Sequence, residues 1–297
     1  MTKINIQFTL FSAFYTPLIA TMAGGFLKQE GLDYEWSVSP PGKSAVDAII
    51  DGSAHVAQSA ASHGFNAPPR TEPPHPVHFA QVNEMDGFFL SGREADPEFS
   101  WHKLEGAEVV MFKAGQPNAM FRYACHKAGI DYDKILAITP GGPDDIDSAF
   151  RDGAGQYVQQ QGPYPQQLES EGFGNILAQV GQPIGPCAFS SLAASREWLE
   201  SDMAKAFTCA YANARRYLNE ASANEIAAVE KPFFPNIDEK ALENCIATYQ
   251  QLGCWTPHVE ITRDAFDATL DVFLYTGAIN ERIPYEQVCA PPPNIEL

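Results

Sequence analysis

The chain has 297 residues, with 19 Lys and Arg against 37 Asp and Glu, for a formal net charge of −18. Apolar residues make up 45% and charged residues 19%, which excludes wholesale disorder and allows one large domain or two lobes. The acidic balance speaks against binding to nucleic acid or anionic lipid, since either needs a basic face, but it allows a small basic pocket for an anion.

Ile4, Ile6, Phe8 and Leu10 alternate with polar residues, which predicts a first strand rather than the unbroken apolar stretch of an export leader. Pro17 can open a helix carrying Leu18, Ile19, Met22, Phe26 and Leu27, with Gly31 as its stop. Leu32, Tyr34, Trp36 and Val38 alternate as a second strand. Gly42-Lys43-Ser44 then leads into a helix with Val46, Ile49 and Ile50, closed by Gly52 and followed by a short strand from Ala54 to Gln58. Strands at 107–112, 135–139 and 156–159 alternate with helices at 118–127 and 144–151. This rhythm predicts an α/β fold with a largely parallel sheet. From Leu192 the pattern is helical, with apolar stripes over 203–218, 239–251 and 264–276, the last ending at Gly277. No run reaches the roughly 18 apolar residues of a membrane helix.

Two segments interrupt the rhythm. Residues 67–76 hold five prolines, too few backbone donors for a helix or central strand, and read as a stiff surface loop. Gly181-Gln182-Pro183-Ile184-Gly185-Pro186 is a place for the chain to change lobes. The cysteines (Cys125, Cys187, Cys209, Cys245, Cys254, Cys289) include no C-x-x-C pair. They predict buried free thiols, with no metal finger and no redox motif.

Several blocks carry a family resemblance. They are Phe14-Tyr15-Thr16-Pro17-Leu18-Ile19-Ala20, Gly25-Phe26-Leu27-Lys28-Gln29-Glu30-Gly31-Leu32, Asp51-Gly52 and Ala54-His55-Val56-Ala57. Further along come Leu104-Glu105-Gly106, Ala128-Gly129-Ile130-Asp131 and Ala149-Phe150-Arg151-Asp152-Gly153. In order and spacing the chain resembles the solute-binding proteins of the nitrate/sulfonate/taurine ABC-transporter type, a superfamily that includes the thiamine-pyrimidine precursor synthases. The resemblance implies a type II periplasmic-binding-protein fold of two lobes, a central ligand cleft and two hinge crossings near Asp86-Gly87 and Gly185-Pro186. Lobe I would comprise 1–86 plus 187–297, and lobe II 87–186. Ligand would sit beyond the carboxyl ends of the parallel strands. The family tends to have a helix where this chain has its proline-rich loop.

On that fold the candidate ligand-binding residues are Ser12, Phe14 and Tyr15 after the first strand, Ser59 and His63 after the third, and Gln116 and Asn118 before a helix. Gln160, with its neighbours Gln159 and Gln161, and Tyr164 follow a strand of lobe II. These uncharged hydrogen-bonding and aromatic groups suit a small polar or aromatic organic molecule. Arg70 and Lys113 are the candidate cations. By resemblance His63 falls at a histidine that the pyrimidine synthases use, but Ser59 stands at their lysine, and Pro186-Cys187-Ala188-Phe189 lacks their cysteine-rich iron-binding run. The aromatic sulfinate desulfinases share the fold, and Ser12 falls at their nucleophilic cysteine; a Ser12–His63 pairing stays open. His63 is read as a ligand hydrogen-bonder, a packed core histidine or an acid/base.

His75 and His78 lie in an extended segment and read as surface histidines. Glu84 with Asp86 reads as a solvated or hinge-capping pair, and the acidic run Asp144-Asp145-Asp147 as a helix start. The leading expectation is therefore a binding protein for a small molecule, serving an ABC-type permease, with no catalytic residue, metal or cofactor and no nucleic acid or membrane span. The alternative is a cytosolic enzyme on the same scaffold, using His63 as acid/base. The location expected is periplasmic if a leader has been removed, and cytoplasmic otherwise.

Overall fold

The computed structural model describes residues 1–40 and 42–294. Among the described residues ten strands form two sheets: β1 (Thr2–Phe8), β2 (Leu32–Val38), β3 (Val56–Ser59), β4 (Pro76–Asn83), β5 (Phe88–Gly92), β6 (Glu108–Val110), β7 (Leu136–Ile138), β8 (Tyr157–Gln161), β9 (Asn175–Gln179) and β10 (Ser190–Ser195). One sheet has the order β2-β1-β3-β10-β4, the other β7-β6-β8-β5-β9. The chain leaves the first sheet after Asn83, enters the second at Phe88, leaves it after Gln179 and returns at Ser190.

Each sheet is mixed rather than largely parallel. β1 runs parallel to β2 and β3, and β10 antiparallel to β3 and β4. In the second sheet β6 runs parallel to β7 and β8, and β5 antiparallel to β8 and β9. The crossings explain this. A chain that arrives from the opposite sheet enters at the carboxyl-end edge and must run back down, so the first strand after each crossing is the reversed one.

The opening helix is Thr16–Ala23, with proline in its first turn as the sequence suggests. It does not continue to Gly31, because Gly25 adopts the left-handed region (φ 77°) and breaks it before the short helix Phe26–Gln29. Ser44 and Asp47 form a reciprocal capping box on the helix Ala45–Ile50. The long helices are Asp202–Glu220, Glu239–Gln251 and Arg263–Tyr275, and Gly277 at φ 69° ends the last. Residues 67–75 carry no helix or strand, and Pro76 begins β4 at the edge of its sheet, where a missing donor costs little.

Phe8, Phe14, Phe79, Phe88, Phe89, Phe121, Phe207 and Phe266 are fully buried, each contributing roughly 1.5–3 kcal/mol of burial. Arg215 is buried as well. Its Nη1 donates to Gln81 O at 2.7 Å and Val82 O at 3.2 Å, and its Nη2 to Thr256 Oγ1 at 2.9 Å, so it pins β4 to the helical layer. All six cysteines are free, and all but Cys209 are buried. Among the described residues no helix is long and apolar enough to cross a membrane.

Candidate functional site

The segments beyond the carboxyl ends of β1 and β3 meet those beyond β6 and β8, and polar side chains bridge the seam. Ser12 Oγ accepts from Phe14 N at 3.0 Å and donates to Gly162 O at 2.6 Å, so one hydroxyl caps a turn in the first lobe and grips the end of β8. The Tyr15 hydroxyl lies beside the amides of Gln58 and Gln161. Burial pushes it up to about 12, against the pull of both amides. Gln116 donates to Phe189 O and accepts from Ser62 Oγ, forming a second bridge.

A third tie runs through Tyr249, whose hydroxyl accepts from Gly162 N at 2.7 Å and donates to Gly87 O at 3.0 Å. The approach is close enough to require glycine twice. A Cβ at Gly162 would run into Cys245 Sγ and lie 2.9 Å from the Tyr249 hydroxyl, and a Cβ at Gly87 would run into the Phe14 ring. Phe14 is itself fully buried, with its ring against Tyr15, Phe189 and Tyr249. It shapes the seam and offers no polar group beyond its backbone.

The remaining candidates lie in different places. Gln159 and Gln161 share one face of β8 by the two-residue repeat of a strand, and Gln159 Nε2 donates to Pro117 O at 3.2 Å. Gln160 lies on the other face, where its Nε2 donates to Asp147 Oδ1 at 3.1 Å. Asn118 braces the segment after β6, donating to Phe112 O at 3.1 Å and Tyr132 Oη at 2.7 Å. The Tyr164 hydroxyl donates to Asp144, at the start of the helix Pro143–Arg151. Lys113 is exposed after β6. His63 is not paired with Ser12: its Nδ1 bonds Ser59 Oγ at 2.6 Å inside the first lobe.

Sequence reasoning did not single out Gln58, Gln166 or Tyr249 for the seam. Gln58 was legible only as the end of a strand, and Tyr249 as one apolar position on a helix. The buried side-chain oxygens of Gln159 and Gln161, and both polar side-chain atoms of Gln166, have no protein hydrogen-bond partner. Buried amides without partners are uncommon and fit a place where a ligand or water completes the bonding.

At the first crossing Asp86 is buried. Its Oδ1 accepts from Phe88 N at 2.7 Å, its Oδ2 has no protein partner, and burial pushes its carboxyl up to about 7. Glu84 does not pair with it; Glu84 Oε2 lies 2.7 Å from His258 Nε2 and holds that imidazole above its usual pKa. His75 and His78 also part company, since His75 bonds Glu197 and His78 Nδ1 lies 2.8 Å from Ser191 Oγ. Among the described residues no three potential metal ligands come together.

Residues 3–230 match the NMT1-like family, which is most of the chain. The chain belongs to that family. The Bacillus subtilis protein named "Putative binding protein YtlA" is 26% identical over 292 residues, covering 97% of this chain and 87% of that one. Among solved structures, the alkanesulfonate-binding protein SsuA from Xanthomonas axonopodis pv. citri, bound to MOPS, superposes with a TM-score of 0.74 at 13% identity. The match covers 98% of this chain and 99% of that one. The desulfurization enzyme DSZB superposes at 0.67 with 12% identity, covering 98% and 97%. The fold is therefore the two-lobed periplasmic-binding-protein fold, and at these identities the superpositions speak for the fold alone.

Proposed function

We propose that this protein is the ligand-binding component of an ABC-type import system and takes a small polar or aromatic organic molecule between its lobes. The observation that carries this reading is the seam itself. Ser12, Tyr15 and Gln58 of one lobe meet Gln161 and Gly162 of the other, and buried amide atoms of Gln159, Gln161 and Gln166 have no protein partner. A ligand that bonds those amides binds the closed arrangement and not the open one, which couples capture to lobe closure. The kinship with YtlA and the shared fold with SsuA support the same reading. A site outside the cytoplasmic membrane and a permease partner follow from it as part of the proposal.

The test is a thermal-shift screen against neutral heterocycles, aromatic acids, sulfonates and other nutrients. Each hit is repeated on Gln161→Ala and recovered for mass spectrometry. The expected result is a hit that stabilises the protein, loses about tenfold or more in affinity in the variant, and is recovered unchanged. A hit that comes back chemically altered would overturn the reading in favour of an enzyme. The Ser59–His63 hydrogen bond is the pair to test then, through His63→Gln, because a serine 2.6 Å from an imidazole is a nucleophile–base geometry.

A further inference from the structure

Away from the seam, the first lobe holds a cavity of about 520 Å³ walled by the helix Ala45–Ile50, the turn at His63, the proline-rich loop, the start of β4 and residues 287–288. No residue of the second sheet lines it. Val46, Ile50, Pro68, Pro69, Val77 and Val288 supply apolar walls, and the volume is within the range of small-molecule sites.

Its polar groups have one sign in excess. Arg70 and Arg196 both line the cavity, and neither has a carboxylate within salt-bridge distance among the described residues. Each spends donors on backbone only, Arg70 Nε on Pro74 O at 2.8 Å and Arg196 Nη2 on Glu286 O at 2.6 Å, so both keep free N–H groups. Asp47 is the one lining carboxylate, and one of its oxygens accepts from Ser44 N at 3.2 Å in the capping box. His63 and His78 complete the wall. Their Nδ1 atoms are held by Ser59 and Ser191, which leaves each Nε2 for a further hydrogen bond. His78 is only 4% exposed. Burial holds both imidazoles below their usual pKa, in line with neutral rings that serve as hydrogen-bonding groups.

Two guanidinium groups without carboxylate partners, on a chain of net charge −18, stand at the mouth of an apolar cavity with a neutral imidazole pair in its wall. We infer that this cavity is a second small-molecule site, separate from the interlobe seam, and that it binds a compact organic anion, a carboxylate or sulfonate with an apolar body. The anionic head meets Arg70 and Arg196, the body lies against Val46, Ile50 and Val288, and the imidazoles select for hydrogen-bonding substituents.

The experiment is isothermal titration of the full chain with benzoate and with benzamide, its neutral isostere of similar shape. Both are repeated on Arg70→Gln, Arg70→Lys, Arg196→Gln, the double glutamine variant and Gln161→Ala. Benzoate is expected to bind at least tenfold tighter than benzamide and to weaken as salt rises. The double variant is expected to lose about ten- to hundredfold, Arg70→Lys to recover part of the single loss, and Gln161→Ala to bind benzoate as the wild type does. The inference is overturned if benzoate fails to bind up to about 10 mM, if benzamide binds equally well, or if the double variant binds unchanged. Loss of benzoate binding in Gln161→Ala would place the anion in the seam and overturn it too. The arginine variants and the seam variant touch different residues, so a failed nutrient screen and a failed second site give different results.

Discussion

Asp86 should make this protein less stable as pH rises, and Asp86→Asn should remove that loss. The carboxyl is buried at the first crossing, with one oxygen on Phe88 N and the other without a protein partner, and burial pushes it up to about 7. An unfolded aspartate titrates near 4, so between about pH 4 and pH 7 the folded state holds a proton that the unfolded state releases. The group's favourable contribution is complete below about pH 4 and is lost as pH climbs through its folded value. A gap of about three pH units corresponds to about 4 kcal/mol, an upper figure that water penetration reduces. Asparagine keeps the size and the acceptor for Phe88 N but cannot ionise. Urea unfolding at pH 4 should therefore place wild type and variant within about 1 kcal/mol, and at pH 8.5 the variant should be more stable by about 2–4 kcal/mol with the same denaturant slope. Other titrating groups cancel in the difference. A wild-type-to-variant gap that is the same at both pH values would refute the argument.

Tyr249→Phe deletes the acceptor for Gly162 N and the donor to Gly87 O. It should cost about 2–3 kcal/mol in urea unfolding and weaken any ligand held in the seam. Arg215→Met takes the guanidinium donor from Gln81 O and Val82 O, leaving Gln81 O only the Tyr211 hydroxyl as a side-chain donor, and should cost about 2–4 kcal/mol by the same assay. Gly87→Ala drives a methyl into the fully buried Phe14 ring; a loss of about 1–3 kcal/mol is expected, read as a lower thermal midpoint.

The elements legible in the sequence are those with local periodicity. β1 and β2 show clean alternation because one face of that sheet edge is wet, and the helices at 202–220, 239–251 and 263–275 show apolar stripes. β10 was not legible: Ser190-Ser191-Leu192-Ala193-Ala194-Ser195 has little strand propensity and is held by pairing to β3 and β4, more than a hundred positions earlier in the chain. β4 and β5 follow a proline-rich loop and a crossing, and both are buried on two faces, so neither alternates. At the site, the loops that carry Ser12, Tyr15 and Gln116 could be named from the fold. Which glutamine of Gln159-Gln160-Gln161 faces the seam could not, because a run of identical residues hides the strand's parity. The open Ser12–His63 pairing was not decidable from sequence for a different reason. Ser59, four residues earlier, draws the His63 imidazole back over its own lobe, a contact that no sequence pattern announces.

Cys245 gives the lobe seam a natural chemical clock. Its sulfur lies directly under Gly162, where even a methyl group would strike it, and burial pushes its thiol far above the usual range. Such a thiol is nearly inert to alkylating reagents while the lobes are together, and its labelling rate follows the frequency with which they part. Cys125, on the helix Gly115–Lys127, and Cys289, beside His78, are buried away from Gly162, so their slower labelling would track unfolding of the lobes themselves. A molecule that seals the seam would slow the first reaction ahead of the others, letting an unmodified protein report its own occupancy by mass.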